Sequence, residues 1–233
     1  GQVTTMESMF LGTYVFNFDL NSWDVSNVAN MSHMFTDARL FNGDISSWVT
    51  SSLTSMDYMF WKAYVFNQDI SSWDVSNVTS FTGLFRSAAA FNQPLSTWTT
   101  GQVTSLNRTF QGASVFNQDL GSWDTGLVTD MHACFQLAKA FNGDVSSWNT
   151  SAVTDMNATF HECYAFNQNI SSWNVGQVNG MANMLYGARV FNQEIGAWNV
   201  SAVTNMAHMF NGAHAFNGNI SSWVTTTLTS MDH

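Results

Sequence analysis

Six histidines, sixteen acidic residues and two cysteines are the side chains here that could hold a metal or move a proton. A zinc site needs three or four His or Cys ligands at short, characteristic separations. The six histidines, His33, His132, His161, His208, His214 and His233, form no HExxH pair and no Cys–His spacing of that kind. His208 and His233 share one helix position in adjacent units, with His33 at the same position far away, and the pair read as two surface histidines. The column Asp19, Asp44, Asp69, Pro94, Asp119, Asp144, Asn169, Glu194 and Asn219 recurs every 25 residues. Parallel strands would stack such side chains about 4.8 Å apart, where like charges repel. Calcium accepts oxygen ligands in flexible geometry, so Asp19, Asp44 and Asp69, with Asp24 and Asp74 nearby, are the calcium candidates. Pro94 and the asparagines interrupt the ladder, and no glycine-rich calcium loop accompanies it. The expectation is solvated or capping carboxylates and no cofactor.

Cys134 and Cys163 replace a core Met and a core Ala, 29 positions apart. They are a candidate disulfide across neighbouring units, or two buried thiols. Serines are abundant but have no paired histidine, and no glycine-rich phosphate loop occurs. Catalysis needs one nonequivalent constellation, whereas nearly every polar residue recurs every 25 positions. The chain is expected not to be an enzyme.

That recurrence dictates everything else. Trp23, Trp48, Trp73, Trp98, Trp123, Trp148, Trp173, Trp198 and Trp223 are spaced by 25 residues without an insertion or deletion, and only Trp61 stands outside the column. The asparagines of nine Phe-Asn pairs, Asn17, Asn42, Asn67, Asn92, Asn117, Asn142, Asn167, Asn192 and Asn217, keep the same step. A fixed period of this size signals a solenoid whose units pack on their neighbours. No linker or shift in composition divides residues 1–233, so one continuous array is expected. The asparagines are assigned to a stacked ladder, because an amide offers donor and acceptor to a tight turn.

Within a unit, Ile45, Trp48, Thr50 and Leu53 reproduce the L-x-x-L-x-L spacing of a leucine-rich repeat, with a short strand around Trp48–Thr50. Met56, Met59, Phe60 and Ala63 then follow at i, i+3, i+4 and i+7, one face of an α-helix. Asn30, Ser55, Ser80, Ser105, Asp130 and Asp155 stand where a side-chain oxygen would cap such helices. The small column Ala38, Ala63, Ala88, Ala113, Ala138, Ala188 and Ala213 would let helix and sheet approach closely. The expected fold class is α/β: a leucine-rich-repeat-like solenoid of about nine 25-residue strand–helix units with a parallel sheet.

The string Phe66-Asn67-Gln68-Asp69-Ile70-Ser71-Ser72-Trp73-Asp74-Val75-Ser76-Asn77-Val78-Thr79 resembles the repeat of BspA-like leucine-rich surface proteins, also known as a 25-residue Trp/Met/Phe-rich repeat of unknown function in mycoplasmas, other bacteria and microbial eukaryotes. The resemblance covers essentially the whole chain. It implies an extracellular or surface-displayed solenoid, adhesion to host proteins or other cells, and no catalytic residues. Val28, Leu53 and Val78 depart from it, filling the place where ordinary leucine-rich repeats carry their turn asparagine.

Nine per cent charged residues, a net charge of −10 and a pI near 4.6 make nucleic acid and anionic membranes poor partners. No run reaches the roughly 18 apolar residues of a membrane helix. Outward strand positions are small and polar: Ser47, Val49, Ser72, Asp74, Thr97, Thr99, Ser122, Asp124, Ser147 and Asn149 are the candidate binding face. Such a face suits repetitive partners, so an extracellular glycan or protein ligand is expected. Val3, Met6, Met9 and Phe10 at one end, and Trp223, Leu228 and Met231 at the other, continue the interior pattern. Without polar caps, the segment is expected to belong to a longer array, or to stack head-to-tail on another copy as a filament or matrix subunit.

Overall fold

Residues 2–231 are described in the computed structural model. Gly1, Asp232 and His233 lie outside them, and with them the expectation for His233.

Each 25-residue unit closes one coil, and each coil lies on the next. Single parallel bridges join Thr5 to Asn30, Asn30 to Ser55, Ser80 to Ser105, and so on to Asn205 and Ser230. The expected strand and helix do not form as regular elements: the described residues contain turns and isolated bridges, but no α-helix and no continuous strand. The hydrogen bonds show what replaces the helix. The N–H groups of Met31, His33, Phe35 and Asp37 leave their own coil and donate to the carbonyls of Ser55, Asp57, Met59 and Trp61 at 2.7–2.9 Å. Between them, Met34, Thr36 and Ala38 donate three residues back, to Met31, His33 and Phe35, at 3.0–3.1 Å. Donors thus alternate between the neighbouring coil and a local turn. Left-handed backbone at His33 (φ 59°) and Asp37 (φ 57°) accompanies this alternation. The same two positions are left-handed in later coils, and glycine fills several of them, among them Gly83, Gly112, Gly187 and Gly212.

The reason is a competition over backbone partners. A two-turn helix is marginal in water, whereas a turn inside a stack finds a carbonyl waiting in the adjacent coil. Burial is the same either way, because successive i→i+3 turns also bring every third or fourth side chain inward. Met31, Met34, Phe35 and Ala38 are all fully buried. The side chains expected to cap helices act on the first turn instead. Asn30 Oδ1, Asp130 Oδ1 and Asp155 Oδ1 accept the N–H two residues on, at 2.8–2.9 Å, and the same residues form the interchain-like bridges between coils.

Three aromatic ladders run through the core. Phe66, Phe91, Phe116 and Phe141 stack at 5.9–6.0 Å between centroids, Phe60, Phe85 and Phe110 at 5.6–5.7 Å, and Trp123, Trp148 and Trp173 at 6.1–6.3 Å. Each buried indole also donates backwards: Trp48 Nε1 to Leu20 O at 2.9 Å, Trp148 Nε1 to Leu120 O at 2.9 Å, and likewise through Trp223. Tryptophan therefore supplies apolar area and a hydrogen bond that fixes one coil's register on the last. The molecule is a repetitive, well-packed domain with regular aromatic periodicity, its core one continuous cluster from Met6 to Met209.

Candidate functional site

The ten residues of the serine-rich face, from Ser47 to Asn149, do line one side of the stack and are all exposed. Their polar groups, however, are turned to the scaffold. The hydroxyls of Ser47, Ser72, Thr97, Ser122 and Ser147 donate to backbone carbonyls 26 residues earlier, such as Ser72 Oγ to Ser46 O at 3.0 Å. Asp74, Asp124 and Asn149 each accept the N–H two residues on, at 3.0–3.1 Å, closing the next turn. Hydrogen bonds from Ser76, its hydroxyl first and then its N–H, hold the Asp74 carboxyl below its usual pKa. Val49 and Thr99 present side chains without such a role.

At the Phe-Asn corner each asparagine serves the coil after it. Asn42 N–H donates to Asn17 Oδ1 at 2.7 Å, and the ladder continues at 2.7–2.9 Å through Asn67, Asn92, Asn117, Asn142, Asn167 and Asn192 to Asn217. The calcium candidates sit in the same kind of network. Asp19 Oδ1 accepts Asp44 N–H, Asp44 Oδ1 accepts Ser46 N–H, and Asp69 Oδ1 accepts Ser71 N–H, all at 2.9 Å. Among the described residues no three His, Cys, Asp or Glu side chains converge on a point that could hold a metal ion. Cys134 and Cys163 are both buried free thiols, with burial pushing their pKa values up, and Cys163 Sγ donates to Phe135 O at 2.8 Å.

A different surface carries the varied chemistry. Every Lys, Arg, Tyr and His of the sequence, and Trp61, lies in the nine-residue segment between the buried Met6-type and Phe16-type columns. Folding lines these segments up as one strip along the stack. Arg39 lies over the Tyr14 ring at 4.4 Å, Arg189 over Tyr164 at 3.9 Å with Lys139 at 5.5 Å, and both Lys62 and Arg86 over Trp61 at 4.9 Å. His33 stacks on Tyr58 at 5.0 Å and His161 on Tyr186 at 4.6 Å. Among the described residues Arg39 is bridged to Asp37, while Lys62, Arg86, Arg108, Lys139 and Arg189 have no carboxylate at salt-bridge distance. In a chain of net charge −10, Lys62, Arg86, Lys139 and Arg189 face rings rather than acids. Reading outward strand positions missed this strip; the confinement of every Lys, Arg and Tyr to four columns was the signal that could have found it.

The chain matches no curated protein and no solved structure. The family described as "Mycoplasma protein of unknown function, DUF285" matches it three times, over residues 1–98, 67–166 and 142–233. With those matches spanning the whole array of Trp/Phe repeats, the chain belongs to that family.

Proposed function

We propose that this protein is a non-enzymatic interaction scaffold, displayed on a cell surface or secreted, that binds glycans or extracellular proteins through its aromatic–cationic strip. One observation carries the reading: the residue types that anchor interfaces, Trp, Tyr and Arg, leave the periodic scaffold only on this strip. The serine-rich face is the weaker candidate because its hydroxyls already serve neighbouring coils. The surface location rests on the resemblance to BspA-like proteins. On that resemblance too, the coil reads as a leucine-rich-repeat solenoid reduced to turns on both sides. Arrays of glycans and matrix proteins test the function. Binding should fall in Tyr164→Ala and Arg189→Ala but persist in Ser72→Ala, and turnover of a substrate would remove the reading.

A second reading draws on the terminal coils. Met206, Met209, Phe210, Ile220, Trp223, Thr225 and Met231 line an apolar cavity of about 490 Å³. Trp223 stacks on Trp198 at 6.4 Å and presents an equivalent face beyond it. A second copy's first coil, with Val3, Met6, Met9 and Phe10, would pack there as the next coil does internally, a heterologous contact that propagates. Light scattering tests it: mass should grow with concentration and Leu228→Asp should abolish the growth. A monomer at high concentration would remove it.

A further inference from the structure

Lys62, Arg86 and Arg108 place one cation on each of three successive coils, and among the described residues no carboxylate lies at salt-bridge distance from them, although Asn107, which accepts from Arg108, donates to Asp130 Oδ2 at 2.8 Å. Lys62 and Arg86 share the Trp61 ring. Arg108 lies in the next coil, close enough to Arg86 for their like charges to repel. Its Nη1 donates to Asn107 Oδ1 at 2.8 Å, and its Nη2 lies 3.2 Å from His132 Nε2. At the far end His132 meets Asp155 at 3.7 Å, and that carboxylate closes the array. Asp57 flanks the near end, accepting the Ser80 hydroxyl at 2.7 Å. Gly83 lets the Tyr58 ring lie flat across the second of these coils: a Cβ there would sit 2.3 Å from the ring. Tyr58 in turn meets Trp61 at 5.6 Å. The result is an aromatic floor bordered by three uncompensated cations.

We propose that this ridge is a binding site for a linear acidic polysaccharide lying along the coil axis, its successive anionic sugars meeting Lys62, Arg86 and Arg108. The proposal rests on the scaffold reading and names the ligand class of one part of the strip. Two physical matches support it. Guanidinium groups favour carboxylate and sulfate oxygens, and uncompensated neighbouring cations gain most from an anion. The coils beneath repeat at 5.7 and 5.6 Å, measured from Phe60 to Phe85 and on to Phe110. That is near the length of one pyranose unit, and shorter than the roughly 6.8 Å between same-side side chains of an extended peptide. The net negative charge does not forbid this. Nine of the acids, Asp19, Asp24, Asp44, Asp69, Asp74, Asp119, Asp124, Asp144 and Glu194, lie in the two columns of the serine-rich side. Screening at physiological salt acts over about 8 Å.

The test is calorimetric titration of the whole chain with oligogalacturonate (one carboxylate per sugar), a heparin-derived hexasaccharide, hyaluronate (one carboxylate per two sugars), neutral dextran and oligoglutamate. Both densely charged saccharides should bind, more tightly than hyaluronate, and dextran and oligoglutamate should not. A carboxylate or a sulfate preference shows in the ratio of the first two. Arg86→Gln and Arg108→Gln should each weaken binding about tenfold, Arg86→Lys should restore part of it, and Ser72→Ala, on the serine-rich side, should leave it unchanged, with melting temperatures confirming that all are folded. Equal binding of oligoglutamate, no binding of any acidic saccharide, or binding indifferent to Arg86 and Arg108 would overturn the proposal. Loss of binding to array ligands in Tyr164→Ala alongside such a failure would leave the scaffold reading standing and sink only the ridge.

Discussion

On the serine-rich face a small hydroxyl residue returns in coil after coil from Ser47 to Ser147, and each of these hydroxyls, like the carboxylates of Asp74 and Asp124, has a backbone partner one coil back or two residues on. On the strip, the column through Trp61 reads Leu11, Thr36, Trp61, Arg86, Gln111, Gln136, His161, Tyr186 and Asn211. Both surfaces are built by the same backbone. The difference is whether the backbone needs the side chain. Where it does, as at Thr97 or Asn142, the choice is fixed by hydrogen-bond geometry. Where the alternating turns meet the backbone groups on their own, as at Trp61 and Arg86, the side chain is free to vary. In this stack periodicity therefore marks scaffolding, and its failure marks the surface open to selection by a partner.

The two off-surface and surface tryptophans give the sharpest contrast. Trp148 is buried, stacked between Trp123 and Trp173 and bonded to Leu120 O. Trp148→Ala should cost about 3–5 kcal/mol, the range for large core truncations, read as a shifted urea midpoint. Trp61 loses only partial burial and its cation–π contacts, so Trp61→Ala should cost under about 1 kcal/mol. Comparable losses at both sites would break the distinction between scaffold and strip.

Much of this was legible beforehand. The Trp, Phe-Asn and Met columns announce a 25-residue stack, and the inward residues read from Met56, Met59, Phe60 and Ala63 are the buried ones. The helix and strand were not legible, because an i, i+3, i+4, i+7 pattern describes a run of i→i+3 turns as well as an α-helix. Glycine at 83, 112, 187 and 212, inside the presumed helices, was the available warning: each has positive φ, a conformation that an α-helix excludes. The strip was missed because attention to recurring positions discards the residues that do not recur.

Gly83 is where the two regions meet. Gly83→Ala would force a Cβ into left-handed backbone, which costs about 1–2 kcal/mol, and against the Tyr58 ring. The expected outcome is a loss of about that size by chemical denaturation, with Tyr58 displaced from the strip. Gly112→Ala, whose Cβ would meet nothing closer than 3.3 Å, carries only the backbone part. The difference between the two isolates the ring contact, and no difference would show that Tyr58 is not held over Gly83.

A smaller effect is expected at the corner ladder. Asn142→Ala removes the acceptor of Asn167 N–H, and water can reach this half-exposed corner. About 0.5–1.5 kcal/mol should be lost, the usual net worth of one hydrogen bond. Tyr164→Ala, on the strip, should change stability by less. Reversal of that order would mean that the strip, rather than the asparagines, clamps successive coils.

The smallest effect separates the two surfaces by pH. Burial holds the His161 pKa below its usual value, against a weaker upward pull from Glu162, and its Nδ1 is buried without a hydrogen-bond partner. The folded state therefore binds this proton less readily than the unfolded chain, whose histidine titrates near 6.5. As pH falls through about 6.5 the unfolded state takes up the proton first, and stability drops until the folded pKa is passed. On the serine-rich side Asp44 and Asp144 are held low, by the N–H groups of Ser46 and Ser146 first and their hydroxyls second. Their contribution is present above an unfolded value of about 3.9 and vanishes as pH falls through the folded one, a separate and more acidic window. Both are modest, since these groups are largely or partly exposed. Melting temperatures between pH 8 and 3 should thus show two steps. His161→Gln should flatten the step near 6.5 and leave the acid limb, and Asp144→Asn should lessen the acid limb, which Asp44 and Asp74 share, and leave the upper step. If His161→Gln left the upper step intact, the strip's imidazole would not be buried in the folded stack, and the stacking on Tyr186 would have to be discarded.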